Sequence, residues 1–310
     1  MKILVTCPPM LGMIDSFRHI FEEKGIEVSA PNVVQTLSVE ELKEIVPQHD
    51  GWIIGDDPAT REVFEAGKAG NLKAAVKWGI GVDNVDFDAC KDLNIPIINT
   101  PDMFGREVAD IAVGYVIALA RETFEIDRAV RDGEWIKPRG ISLSGKKVAL
   151  VGFGDIGKCT AKRLLALDMD IIAYDPFSDN NPDLAEVARE VWPNRIEEAD
   201  FIVVTCSLTK SSYHMLDANV FKRAKVGVRV VNVGRGPIIN EASLEEALRS
   251  GKVYSAALDV FEVEPLPMDS YLRIHPHCIF GSHNASNTSD AVIRTSKIAI
   301  EKITSFLGYA

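Results

Sequence analysis

The sequence predicts an α/β protein built from two doubly wound parallel-sheet domains. Three observations carry this expectation. Short β-rich runs alternate with helical ones through the first hundred residues, the alternation resumes after residue 146, and the first strand of that second run leads through a Gly-x-Gly-x-x-Gly turn into a helix. At 310 residues the chain exceeds what one hydrophobic core usually serves, so two domains are the expected division.

The first run reads KILVT, IDSFRHIFEEKG, IEVSA, SVEELKEIV, GWIIG, TREVFEAGKAG, LKAAVKW, FDACKDLN and PIINT, which places five strands before residue 100. Ser38 and Glu41 have the spacing of a capping box, and Gly25 follows a helical run where a left-handed terminator is wanted. After Thr100-Pro101 one continuous helical stretch is expected over residues 104–133, with Ala109, Ile111, Ala112, Tyr115, Val116, Leu119 and Ala120 on a broad apolar face. The alternation then resumes with KKVALV, DIGKCTAKRLLALD, MDIIAYD, FIVVTCS, RVVNVG, EASLEEALRSG, VYSAALDV and CIFGSH. A last helical run spans Ser289 to Phe306, and in two-lobed α/β enzymes such a tail often returns to the first lobe.

Composition excludes several classes. Lys and Arg number 34 against 45 Asp and Glu, and a net charge of −11 repels nucleic acid and acidic membrane surfaces. The N-terminal apolar run is too short for a signal-peptide core, and no segment is long enough to span a bilayer. The five cysteines, at 7, 90, 159, 206 and 278, are odd in number and form no Cys-x-x-Cys pair, which fits a reducing cytoplasm better than a disulfide framework or a zinc site.

The segment Val151-Gly152-Phe153-Gly154-Asp155-Ile156-Gly157 has the setting that a dinucleotide fingerprint requires, a strand before it and a helix after it. Gly152 allows the tight turn, Gly154 lets a pyrophosphate approach the backbone, and Gly157 permits close helix-to-strand contact. The helix N-terminus offers free N–H groups to phosphate. Asp175 ends the next strand 18 residues beyond Gly157, where a carboxylate accepts from the adenosine ribose and repels a 2′-phosphate. That favours NAD over NADP. The same fingerprint also serves FAD and some methyltransferases, so it names a nucleotide and not a reaction.

No Gly-x-Ser-x-Gly elbow, His-Glu-x-x-His pair or phosphate-binding loop occurs, which argues against hydrolase, zinc-protease and kinase readings. His275-Pro-His277-Cys278 reads as a polar loop ahead of a strand, and no metal site is expected. Three segments, VNVGRG, ALDVFEVEP and FGSHNAS, follow strands at the carboxyl ends where open α/β sheets bind ligands. Arg235 sits between two glycines where its guanidinium can fork onto a carboxylate, Glu264 precedes a proline in a loop, and His283 ends a strand.

With KWGIGVDN at 77–84, NTP and EVAD within 99–110, VGFGDIG, VNVGRG, LDVFEVEP and His283 in this order, the chain resembles the D-isomer-specific 2-hydroxyacid dehydrogenases along essentially its whole length. The resemblance implies a flavodoxin-like substrate domain from residues 1–99 plus 288–310, a Rossmann NAD-binding domain from residues 100–287, and a substrate cleft between them. It implies that Arg235 holds the substrate carboxylate and reacting oxygen, that Glu264 orients His283, and that His283 is the acid or base. Backbone N–H groups of Gly79, Ile80 and Gly81 would complete the carboxylate site. Gly152, Gly154, Asp155, Ile156, Gly157, Asp175 and Val233 would hold the cofactor, with Asp259 on the nicotinamide side. A homodimer is implied through the small-residue helix at 109–120.

The implied chemistry needs these residue types. Hydride leaving C2 of a 2-hydroxy acid gives a ketone only if the hydroxyl proton is also removed, and imidazole changes charge near neutral pH. A carboxylate at Glu264 favours the protonated ring, and Arg235 neutralises the acid and polarises the carbonyl. Two departures stand out: Ser282 precedes His283 where the family often has proline, and Cys206-Ser207-Leu208-Thr209 replaces a Pro-Leu-Thr run. Alternatives are 3-phosphoglycerate dehydrogenase as the specific activity, a formate- or phosphite-type dehydrogenase, and an NAD-sensing corepressor-like interaction protein. Neither a corepressor-like role through appendages nor the serine feedback of the long phosphoglycerate dehydrogenases is expected. The loops CPPMLGM, GDDPATR and WGIGVDN would face the substrate, and Met10, Leu11, Met13, Asp56 and Asp57 in or beside them disfavour a phosphate, Arg61 being the one nearby cation. An unphosphorylated substrate such as glyoxylate or hydroxypyruvate is expected.

Overall fold

The structure is a computed structural model that describes residues 1–177 and 182–309. Contacts divide the chain into two units, Met1–Phe104 with Asn287–Ala310, and Gly105–Ser286.

In the first unit the β-rich runs form β1 (Lys2–Val5), β2 (Glu27–Ser29), β3 (Gly51–Ile54), β4 (Ala74–Lys77) and β5 (Ile97–Asn99). All pair in parallel, in the order β2-β1-β3-β4-β5, which is the flavodoxin-like winding. Every residue of β3 and β4 is buried, as a sheet covered on both faces demands. Trp52, Leu42, Val46, Val63 and Phe64 fill one layer of the core. The expected capping box is present: Ser38 Oγ accepts from the Glu41 N–H at 3.3 Å, and Glu41 accepts from the Ser38 N–H at 2.8 Å. The helix Ser289–Phe306 belongs to this unit, with Trp78 Nε1 donating to Ser296 Oγ at 3.1 Å. The continuous helical run expected at IDSFRHIFEEKG is instead a single 3-10 turn, Ile14–Ser16, and a short helix, Arg18–Glu22, separated by Phe17 at φ −116°. Gly25 closes it at φ +65°, as the sequence requires.

The second unit holds β6 (Lys147–Val151), β7 (Asp170–Tyr174), β8 (Ala188–Arg189), β9 (Phe201–Val204), β10 (Val228–Asn232), β11 (Val253–Leu258) and β12 (Cys278–Phe280). Its seven strands, also all parallel, run β12-β11-β10-β9-β6-β7-β8, so the winding reverses between β6 and β9. This is the Rossmann order, extended by one strand, and ligands bind at such a switch point. β8 has two residues, too few for any periodicity to announce it. The helical stretch expected over 104–133 is two helices, Gly105–Arg121 and Thr123–Arg131, broken where Glu122 takes the left-handed conformation at φ 55°.

Candidate active site

The fingerprint turn is shaped by contacts a side chain would forbid. Gly152 has φ +96°, and a Cβ there would come within 2.6 Å of Cys206 Cα. A Cβ on Gly157 would overlap the Gly152 carbonyl oxygen, so helix Asp155–Leu165 can approach β6 only with glycine at 157. Gly154 is different: open space lies where its Cβ would be. No side chain caps this helix, which leaves its first N–H groups facing the same open space. The turn thus has the room and the donors for a pyrophosphate, and the NAD expected from sequence fits it. Asp175 accepts from the Phe153 N–H at 2.7 Å and the Phe177 N–H at 2.9 Å, which fixes the carboxylate at the carboxyl end of β7. Asp155 does not point its carboxylate into the turn; the group lies against Gly105, so any cofactor contact from residue 155 comes from the backbone.

β10, β11 and β12 are neighbours in a parallel sheet, so the loops after them leave from one edge. Arg235 follows β10. Asn232, buried at the end of that strand, accepts from the Gly234 N–H and donates to the Arg235 carbonyl, both at 3.0 Å, and so holds the loop carrying the guanidinium. Gly236 lies flat on Phe261, where a Cβ would overlap the Phe261 carbonyl. The Arg235 loop and the Phe261–Glu264 loop are therefore packed backbone to backbone. Sequence reading missed Asn232, although an Asn ending an otherwise apolar strand is a signal that could have flagged it.

Glu264 and His283 meet across 19 residues of sequence, Glu264 Oε2 lying 2.8 Å from His283 Nδ1. Glu264 Oε1 accepts from the Phe261 N–H at 2.9 Å. Both side chains are about one-fifth exposed, enough to meet a ligand and little enough to be held. His283 has φ 55°, and its N–H donates to the Asp259 carbonyl at 2.7 Å. With Ser282 rather than proline before it, the backbone still delivers the imidazole to Glu264. Asp259 is nearly inaccessible; burial pushes its carboxyl pKa up, against the Ala285 and Asn284 N–H groups and the neighbouring His283, which pull it down. Tyr115 lies close by, its phenol raised to about 12 by burial and by Asp259. Cys206, the other departure, packs between Gly152 and Gly234. Val233 is buried and donates to the Val204 carbonyl at 3.1 Å.

In the first unit Gly79 has φ +122°. Its N–H donates to Thr100 Oγ1 at 2.8 Å, so of the three backbone donors expected for a substrate carboxylate it is already engaged. No backbone hydrogen bond is made by the Ile80 or Gly81 N–H among the described residues. The expected repulsion from Asp57 is corrected by its position. Asp57 is fully buried, accepting from Thr6 Oγ1 at 2.5 Å, the Leu37 N–H at 2.9 Å and the Gly55 N–H at 3.2 Å, and burial raises its pKa. Met10 is likewise in the core. Lys77, at the end of β4, is also buried, and its ammonium donates to the Gly55 and Trp78 carbonyls and to Asp56.

Residues 113–285 match the family described as D-isomer specific 2-hydroxyacid dehydrogenase, NAD binding domain. A hydroxypyruvate reductase of Thermotoga maritima is 37% identical over 295 residues, 93% of this chain and 94% of that protein. A D-3-phosphoglycerate dehydrogenase of Archaeoglobus fulgidus is 34% identical over 98% of this chain, which spans only 56% of that relative's length. Among solved structures, the NAD-dependent formate dehydrogenase of Staphylococcus aureus in complex with NAD superposes with a TM-score of 0.83 at 27% identity, covering 98% of this chain and 95% of the other.

Proposed function

The chain belongs to the D-isomer-specific 2-hydroxyacid dehydrogenase family, and from that premise we propose that Arg235, Glu264 and His283 interconvert a small D-2-hydroxy acid and its 2-keto acid. NAD(H) supplies or accepts the hydride. The 2.8 Å contact between His283 Nδ1 and Glu264 carries the reading, because it commits Nδ1 to the carboxylate and assigns proton transfer to Nε2. Glu264, pinned by the Phe261 N–H, stabilises the imidazolium that donates to the keto oxygen in reduction and re-forms in oxidation. Arg235 pairs with the substrate carboxylate and polarises the carbonyl. Residues 1–99 act with the C-terminal helix as the substrate domain in this reading, and the Ile80 and Gly81 N–H groups are its donors for a carboxylate. Gly152, Gly154, Asp155, Ile156, Gly157, Asp175, Val233 and Asp259 hold the cofactor.

The substrate is unphosphorylated. In the loops 7–13, 55–61 and 78–84 the one cation is Arg61, already paired with Asp92 at 2.8 Å, and the three donors of adjacent Lys77 all have acceptors. A phosphate there would lose its hydration without gaining a partner. A panel of 2-keto acids with NADH, including hydroxypyruvate and 3-phosphohydroxypyruvate at matched salt, tests this. Higher kcat/KM for hydroxypyruvate is expected, and a clear preference for the phosphorylated compound would overturn it.

Assembly as a homodimer is part of the same proposal. Ile111, Ile117, Phe124, Val130 and Trp135, on or just after the helices Gly105–Arg121 and Thr123–Arg131, are exposed. No helix among the described residues is long and apolar enough to cross a membrane. The five free thiols support a reducing cytoplasm as the working compartment.

A further inference from the structure

The break between the helices Gly105–Arg121 and Thr123–Arg131 does more than end one and begin the other. Left-handed backbone at Glu122 turns its side chain inward, where the residue is only 6% exposed. Its Oε1 is buried with no hydrogen-bond partner among the described residues. Three residues on, Glu125 projects from the same helix face, and His277 reaches the pair from the loop before β12. His277 Nδ1 lies 3.1 Å from Glu125 Oε2 and 3.7 Å from Glu122 Oε2, and one donor atom from each of the three falls within 4.8 Å of the other two. The Tyr254 ring stacks on the imidazole at 4.7 Å between centroids, which sets the plane of the ring.

We propose that Glu122, Glu125 and His277 form a binding site for one divalent transition-metal cation, with zinc the ion this donor set suits. Nitrogen and oxygen atoms bound tetrahedrally at about 2.0–2.2 Å are about 3.3–3.6 Å apart, and the two measured separations from Nδ1 bracket that range. One imidazole with two carboxylates is ordinary mixed ligation for a borderline ion. A proton on Nδ1 serves a single carboxylate oxygen, and the Tyr254 hydroxyl is the other donor that faces Glu122, whereas a cation draws on both carboxylates at once. Two guanidiniums stand near. Arg229 lies over the Tyr254 ring, offsets part of the Glu122 charge and donates to the Leu119 carbonyl, and Arg128 donates to the Pro276 carbonyl at 2.9 Å. These donations go to backbone carbonyls, which leaves carboxylate oxygens for a metal. Bound there, the ion ties the start of helix Thr123–Arg131 to the β11–β12 connection. Sequence alone hides the site because His277 is 152 residues from Glu125.

The test is isothermal titration of the full-length, chelator-stripped protein with zinc chloride, with the cobalt(II) visible spectrum as a second readout. Expected is one zinc per chain, its affinity weakened at least about tenfold by Glu125→Gln and by His277→Gln. The controls His275→Ala and Cys278→Ser leave it unchanged, and keto-acid reduction by the stripped protein stays at its usual rate. Far-ultraviolet circular dichroism and NADH affinity establish that each variant is folded. Absence of saturable zinc uptake by the unmodified chain overturns the proposal. So does uptake that survives both substitutions, or that is lost with His275→Ala.

Discussion

Glu264 divides its two oxygens between the chain and the imidazole, Oε1 accepting from the Phe261 N–H at 2.9 Å and Oε2 lying 2.8 Å from His283 Nδ1. The first contact fixes the second. In Glu264→Gln the amide keeps the shape and an acceptor for Phe261 but removes the charge that supports an imidazolium. Keto-acid reduction needs the protonated ring, so activity is lost as pH rises through the ring's titration, and without the carboxylate that loss begins at lower pH. A pH profile of kcat for reduction should show the alkaline limb displaced downward. An unchanged limb would mean that Glu264 does not act through His283.

Asp175 is held at the end of β7 by the Phe153 and Phe177 N–H groups, so its charge cannot swing away from a ribose placed there. The unmodified enzyme should show a larger kcat/KM with NADH than with NADPH. Asp175→Asn keeps a single oxygen, enough to accept from one of the two N–H groups, and removes the repulsion, while Arg189, stacked on Phe153 at 3.7 Å, stays as a cation for a 2′-phosphate. The preference should narrow by about tenfold, equivalent to ~1.4 kcal/mol. Equal efficiency with both cofactors before mutation would remove this role.

Two glycines of the fingerprint should fail in different ways. Gly157→Ala drives a methyl into the Gly152 carbonyl and should cost about 1–3 kcal/mol of stability together with NADH affinity. Gly154→Ala meets open space in the protein, so its thermal midpoint should stay near that of the parent while NADH affinity falls. Parallel thermal melts and NADH fluorescence titrations separate them. Normal NADH binding by Gly154→Ala would show that the space is not used by the cofactor.

Glu198 accepts from Arg195 and from Lys147 Nζ, the latter at 2.6 Å, and these contacts lower its pKa from 4.5 to about 2. A depressed carboxylate stabilises the fold above its unfolded value, and that contribution disappears as pH falls through the folded one. Glu198→Gln should therefore lower the melting temperature at neutral pH by a small margin, in keeping with an exposed pair, and the difference from the parent should close between pH 4.5 and about 2. Melting curves across that range, at low and high salt, check both the sign and the screening.

What the sequence disclosed, and what it hid, follows from the range of the forces involved. The Ser38–Glu41 cap and Gly25 are local devices, read directly from spacing. The Gly152, Gly154 and Gly157 turn was legible because strand, turn and helix are contiguous. The break at Glu122 was not, since no glycine or proline marks it and a left-handed glutamate is held by its surroundings. Asp57 and Lys77 look like solvated charges in sequence. They are buried because distant groups, Leu37 and Thr6 for one and the Gly55 carbonyl for the other, satisfy them. The meeting of Glu264 and His283 came from family resemblance, as nothing in a 19-residue separation specifies a hydrogen bond.

The central claim is that His283 moves the proton that accompanies hydride transfer. The most direct measurement is steady-state reduction of a 2-keto acid by His283→Ala alongside the NADH dissociation constant of the same variant. Expected is a loss of about 10² to 10⁴ in kcat, with NADH affinity unchanged within a factor of about two to three. Near-parental turnover by His283→Ala, with NADH still bound normally, would contradict the account.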